Sequence, residues 1–301
     1  MSRSPSRLKA ILLAMLVTLI WSTSWILIKI GLKEIPALTF AGLRYTIAFF
    51  CLLPFVFSRS TRTEIRQLKR SDWAKLALLG VVLYTLAQGG QFLALACLPS
   101  VSVSLILNLT SIFVAFSGIV LLKERPSLTQ WIGVVLNLLG ILIYFFPGAF
   151  VRGEWLGLLF AIVSLGSNIG GALLGRGVNR GQQYSPLLVT VVSMGFGSIL
   201  MLAAGVIFQG LPRISLISWG IILLLAVFNT AFAFTVWNFT QQTLTAIESS
   251  LINSTMLIQV AILAWIFLDD RMDTREIIGL VFAAVGVLVV QMNLRKVSIT
   301  S

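Results

Sequence analysis

The sequence predicts an all-α integral membrane protein of ten transmembrane helices, arranged as two five-helix repeats of inverted topology. Three observations carry that prediction. Of the 301 residues 58% are hydrophobic and only 11% charged, and the mean hydropathy is +0.99, far above the composition of soluble domains. The apolar residues gather into runs of bilayer length, bounded by charge, Gly or Pro. The chain also matches itself at a shift of 146 positions.

The expected spans are 8–32, 36–57, 74–97, 100–122, 128–146, 155–176, 186–208, 215–239, 243–268 and 275–293. The first carries "WSTSWILIK" from Trp21 to Lys29. Basic residues ahead of it resemble the start of a signal peptide, but the apolar run is too long and no small-x-small cleavage pattern follows. The connections are short, the longest running from Ser58 to Lys75, so no soluble domain is expected.

Lys and Arg set the orientation. Arg3, Arg7, Lys9, Arg59, Arg62, Arg66, Lys69, Arg70, Lys75, Lys123, Arg125, Arg176, Arg180, Arg295 and Lys296 fall on one side; Lys33, Arg152, Arg213, Arg271 and Arg275 fall on the other. The positive-inside rule then places both termini in the cytoplasm. Trp73, Trp131, Trp155, Trp219, Trp237 and Trp265 lie near span ends, where aromatic belts form, while Trp21 lies near mid-span.

At the 146-residue shift Ser104 meets Ser250, Val114 meets Val260, Arg125 meets Arg271, Gly133 meets Gly279 and Gly140 meets Gly286, with Glu124 opposite Asp270. Apolar sequence inflates chance matches, but not a shared charged turn with spaced glycines. The halves are therefore 1–148 and 149–301. Each has an odd number of spans, so the copies run through the membrane in opposite senses, an arrangement common in secondary transporters.

"WSTSWILIK" in the first span, the pair "RY" in the second, "LLKERPSLTQWIGVVLNLLG" at the fourth-to-fifth turn and its counterpart near Asp270 together resemble the EamA family of the drug/metabolite transporter superfamily. The resemblance covers nearly the whole chain. It implies an alternating-access carrier of small metabolites, often an exporter, with a central cavity lined by both halves. A common family pattern puts a proline and sometimes a carboxylate midway along the fourth and ninth spans; here "NLTSIF" and "NSTMLI" stand instead. The resemblance carries no proton-coupling carboxylate to those points.

Polar residues inside the spans mark candidate substrate-binding positions. Thr18, Trp21, Ser22 and Trp25 share one helical stripe, which reads either as helix packing or as a cavity wall whose indoles contact substrate. Arg44 lies deep in the second span with no obvious intramembrane carboxylate, so it is solvated by carbonyls and polar side chains or meets a substrate carboxylate. Tyr84, Gln88 and Gln91 share a face of the third span. Asn108 and Ser111 in the fourth, Asn168 in the sixth, Asn229 in the eighth and Asn253 in the ninth add uncharged hydrogen-bonding groups. Lys29 either snorkels or acts at a gate, and Glu248 reads as part of a capping box as readily as a proton site. "GSNIGGALLG" offers small-xxx-small spacing at Gly166, Gly170, Gly171 and Gly175.

These residues suit amino acids or related zwitterions, with organic cations as the alternative and a receptor or scaffold outside the transport class. The chain has no histidine, no intramembrane acid pair and only two dispersed cysteines, which argues against an enzyme, a metal or another cofactor. The net charge of +12 reports orientation and not nucleic-acid binding. The expected partners are a small-molecule substrate and the lipid bilayer of a bacterial cytoplasmic membrane. A monomer is among the states the sequence allows.

Overall fold

The computed structural model describes residues 6–56, 64–122, 128–145, 154–179, 184–240, 243–244, 252–269 and 272–297. Among them the regular structure is all helical. The helices are α1 (Arg7–Gly31), α2 (Ala37–Val56), α3 (Arg70–Cys97), α4 (Ser100–Leu122), α5 (Leu128–Phe145), α6 (Glu154–Asn179) and α7 (Pro186–Gln209). They continue as α8, in the pieces Leu216–Ala226, Val227–Phe232 and Ala233–Thr240, then α9 (Met256–Leu268) and α10 (Thr274–Val297). Stretches Arg7–Gly31, Ala37–Val56, Arg70–Cys97, Glu154–Gly175 and Leu187–Gln209 are long and apolar enough to cross a membrane. Shorter apolar stretches occupy Ser100–Thr110, Trp131–Tyr144, Leu216–Phe232 and Ile252–Leu268. A helix is the form such sequence takes in lipid, because it satisfies its backbone within one segment.

The helix ends follow ordinary capping chemistry. Ser185 and Ser215 stand at N-caps, their Oγ atoms accepting from the amides of Leu188 (3.4 Å) and Ser218 (3.2 Å), and Pro186 occupies the first turn of α7. At the start of α10 the Asp273 amide donates to Glu276 Oε2 at 2.8 Å and the Glu276 amide returns a bond to Asp273 Oδ1 at 2.7 Å, a reciprocal capping box. Gly210 closes α7 at φ 78° and Asp269 closes α9 at φ 54°; both residue types tolerate the left-handed region.

The chain forms two compact units. The first comprises Met1–Ile26, Leu98–Trp155 and Thr235–Ser301; the second comprises Leu27–Cys97 and Leu156–Phe234. Each unit draws on both halves of the sequence.

In the first unit α5 and α10 pack at backbone distance. A methyl group on Gly140 would sit 2.5 Å from the Gly279 carbonyl oxygen, and one on Gly286 would sit 2.6 Å from that of Gly133. The two contacts exchange under the 146-residue shift. Asn137 Nδ2 donates to the Ala283 carbonyl at 2.8 Å, between residues 146 apart. Beside this crossing Val101, Leu105, Tyr144, Leu257, Ala261 and Ala264 form a buried apolar cluster.

The second unit repeats the motif with α2 and α7. Methyl groups on Gly42 and Gly205 would fall 2.8 Å from the Leu202 nitrogen and 2.5 Å from the Thr39 nitrogen. These contacts also exchange, Gly for Gly and Thr39 for Leu202, but at an offset of 163 positions and not the 146 of the first crossing. At two ends of this unit, carboxylates of interhelical connections hold the N-cap serines. Glu34 accepts from the Ser215 amide (2.5 Å), from Ser215 Oγ (2.7 Å) and from Ser218 Oγ, and Glu64 accepts from the Ser185 amide (2.8 Å). The Ser218 and Ser215 hydrogen bonds hold the Glu34 carboxyl below the usual carboxylate range.

The glycine motif of α6 behaves only partly as its spacing predicts. A methyl group on Gly171 would meet Leu83 Cδ1 at 2.8 Å, but one on Gly166 would meet nothing within 4 Å. The close approach is local to Gly171.

Candidate functional site

A buried polar cluster of the second unit is built on α2, α3 and α8. Arg44 is 4% exposed. Its Nε donates to Thr230 Oγ1 at 3.0 Å, and its guanidinium carbon lies 5.1 Å from the centroid of Tyr45 and 6.0 Å from that of Phe92. Both distances suit cation–π attraction. Among the described residues no carboxylate stands beside it; the neighbouring titratable group is the Tyr45 hydroxyl. That hydroxyl donates to Gln88 Oε1 at 2.6 Å, and the Tyr45 ring meets Tyr84 edge-on at 5.6 Å. Phe92, fully buried against Phe40, closes the apolar side.

Two irregular stretches position these groups. Val81–Gln88 of α3 and Val227–Phe232 of α8 are π-helical, and their first residues are separated by the same 146 positions that relate the sequence halves. π-helical turns are rare and concentrate at functional sites. Their looser bonding is supplemented from outside: Ser164 Oγ donates to the Ala87 carbonyl at 2.6 Å, and Thr85 Oγ1 donates to the Gly197 carbonyl at 2.8 Å. Thr230 supplements its own segment, its hydroxyl donating to the Leu225 carbonyl at 2.9 Å.

The first unit holds a second cluster. Gln259 of α9 accepts from Ser22 Oγ at 2.8 Å, while its Nε2 donates to Thr255 Oγ1 at 3.1 Å and to Thr18 Oγ1 at 3.3 Å. Thr18 and Ser22 are fully buried, so on this stripe they act in helix packing. Trp21 lies half-buried against Trp237, ring centroids 5.1 Å apart, and Trp25 is buried.

Of the sequence-predicted site residues, Arg44, Tyr84 and Gln88 come together around Tyr45. Gln91 is half-buried in the same unit, and Asn168 is too, its Nδ2 donating back to the Ser164 carbonyl at 2.9 Å. Trp21, Trp25, Asn108 and Asn253 belong to the first unit, with Asn108 and Asn253 half-buried. The side chain of Ser111 lies outside the described residues, as does Glu248. Lys29 has a structural partner: its Nζ donates to the Leu95 carbonyl at 2.6 Å, in the last turns of α3 where a cation favours the helix dipole.

Sequence reasoning missed Thr230, Phe92 and Gln259 as site residues, and it used Tyr45 only as half of a motif. Gln259 lies one helical turn beyond Thr255 of the quoted "NSTMLI", so helical spacing could have reached it, whereas Thr230 adjoins the flagged Asn229 on a different face and gives no such signal. Trp237, expected in an aromatic belt, pairs with Trp21.

Long apolar helices packed through glycine crossings mark a multi-pass membrane protein, and the family match makes it a transporter. The chain belongs to the EamA-like transporter family, whose model matches residues 8–146 and again 155–292. A transporter of Archaeoglobus fulgidus is 25% identical over 292 residues, covering 93% of this chain and 96% of its own. The transporter YoaV of Bacillus subtilis is 24% identical, covering 90% and 92%. A protein of Salmonella typhimurium named as a probable amino-acid metabolite efflux pump is 25% identical over 75% of each chain. A solved crystal structure of a chain 16% identical matches with a TM-score of 0.67 over 97% of this chain and 99% of that one, a likeness of fold. Family and relatives indicate a transporter and not an enzyme.

Proposed function

We propose that this protein is a secondary transporter of the bacterial cytoplasmic membrane that exports neutral amino acids or related zwitterions by alternating access. Its ten spans form two inverted halves, 1–148 and 149–301, with both termini cytoplasmic; it acts on a small-molecule substrate within the lipid bilayer and binds no nucleic acid. The contacts of α5 with α10, which exchange at the 146-residue shift, support the inverted repeat, because such pairs are what a two-fold axis across antiparallel helices produces.

The observation that carries the substrate class is Arg44. A guanidinium this deeply buried, with Thr230 as its hydrogen-bonding side chain and no carboxylate among the described residues, is suited to a carboxylate delivered by the substrate. Gln88 Oε1 and the Tyr45 oxygen offer acceptors for the ammonium. Phosphate recognition would call for more cations than the described residues place beside Arg44.

A second reading, export of flat organic cations, is favoured by the Trp21–Trp237 pair, whose indole faces attract cations. Counterflow in proteoliposomes separates the two. Vesicles preloaded with L-leucine and challenged with labelled L-leucine, other neutral amino acids, leucinamide and tetraphenylphosphonium should show exchange among amino acids that disappears in Arg44→Gln. Exchange with cations alone, indifferent to Arg44, would replace the zwitterion reading with drug export.

A further inference from the structure

Arg44 and Tyr45 are adjacent on α2, yet each grips a different π-helical segment. Tyr45 holds the segment in α3 through Gln88 and Tyr84, and Arg44 holds the segment in α8 through Thr230. The two segments start at repeat-equivalent positions, so one dipeptide fastens two matching irregularities. Thr230 is committed on both sides: its proton goes to the Leu225 carbonyl and its oxygen receives Arg44 Nε.

We infer that Thr230 is a positioning residue through which substrate occupancy is read into the π segment of α8, with Gln88 holding the α3 segment in place. The inference rests on the reading of Arg44 as the carboxylate site. A carboxylate binding side-on to a guanidinium uses Nε and one terminal nitrogen, the paired geometry that makes such contacts strong. Here Nε is the atom bonded to Thr230, so the arriving carboxylate displaces the Thr230 oxygen. One N–H···O bond replaces another at Arg44, and the α8 segment loses its tether to α2. A π segment released from its tether opens more often, because its own hydrogen bonding is the looser kind. The Tyr45–Gln88 bond is untouched by that event, so the α3 segment stays fastened while the α8 segment loosens.

Hydrogen exchange on the full chain in lipid nanodiscs tests this with two arms. Without ligand, Thr230→Val should raise amide exchange in residues 225–234 about threefold, the size of one interhelical hydrogen bond, and leave 81–90 unchanged. Tyr45→Phe should do the reverse, and Thr230→Ser, which keeps the hydroxyl, should match wild type. In the second arm 4-methylpentanoate, a carboxylate lacking the ammonium, should raise exchange in 225–234 of wild type and add nothing in Thr230→Val, whereas leucinamide should have no effect. Counterflow by Thr230→Val should fall in rate while half-saturation stays at or below wild type.

If both substitutions loosen both segments alike, the residues are merely structural and the inference is wrong. Leucine counterflow that depends on Arg44, without any ligand effect on 225–234, would overturn the coupling and leave the substrate reading standing. Counterflow of cations alone would remove both.

Discussion

Gln259 accepts a hydrogen bond from Ser22 at 2.8 Å, joining α1 to α9 between residues 237 apart. Its amide hydrogens are engaged by Thr255 and Thr18, so both ends of the side chain are committed. Replacing it with Leu keeps the volume and deletes the links. Each such bond in a membrane protein contributes about 0.6 kcal/mol on average. Gln259→Leu should lower the detergent-solubilised thermal midpoint by several degrees, and Ser22→Ala by less, as read by tryptophan fluorescence. Equal midpoints would show that Gln259 is not a fastening point of the first unit.

The glycine crossings make a sharper prediction because the neighbour is backbone, which cannot step aside. Gly140→Ala and Gly286→Ala should each destabilise by about 1–3 kcal/mol through overpacking. Gly166→Ala has open space in front of it and should be neutral or stabilising by up to about 1 kcal/mol, since alanine favours the helix. Chemical denaturation of the three variants in one detergent ranks them. A Gly166 variant as unstable as Gly286→Ala would contradict the packing described.

The Glu34 clasp predicts a pH dependence. Its carboxyl is depressed by the Ser218 and Ser215 hydrogen bonds, so its contribution is complete above the unfolded-state value near pH 4.3 and lost as pH falls through the lower folded-state value. Glu34→Gln should therefore melt below wild type at neutral pH, and the gap should close below about pH 4. A gap that widens on acidification would assign the effect to another group.

Orientation is open to direct labelling. With Cys51 and Cys97 replaced by alanine, Lys33→Cys should react with an impermeant thiol reagent only from outside intact cells, and Arg66→Cys only after permeabilisation. Both residues are exposed, so a failure to react would not come from burial. Labelling of the two from one side would refute the orientation read from the charges.

The helices were legible because a bilayer leaves few choices: a run of apolar residues with its backbone bonds satisfied internally must be helical, and charge marks its ends. Arg44 was legible because a cation at that depth needs an explanation. Its partner was not. Thr230 is a common residue in a helix, and only the fold, which brings α8 to α2, shows which threonine matters. The π segments left no trace either; "VVLYTLAQ" and "VFNTAF" read as ordinary span, because an extra residue per turn is set by what packs alongside. Gly166 shows the opposite error, a spacing rule satisfied on a face that meets nothing.

Symmetry forbids difference at its own axis: in a pair of identical chains, whatever stands on the dyad meets itself. At the α5–α10 crossing Asn137 meets Ala283, the residue opposite it at the 146-residue shift, and the amide of one bonds the carbonyl of the other. Two asparagines facing each other there would crowd a seam already tight enough to exclude a methyl group, and two alanines would leave it without a polar tie. On the duplication proposed above, a half-length ancestor assembling as a pair had to choose one or the other. Joining the halves into one chain would release that constraint and leave the seam with a single donor.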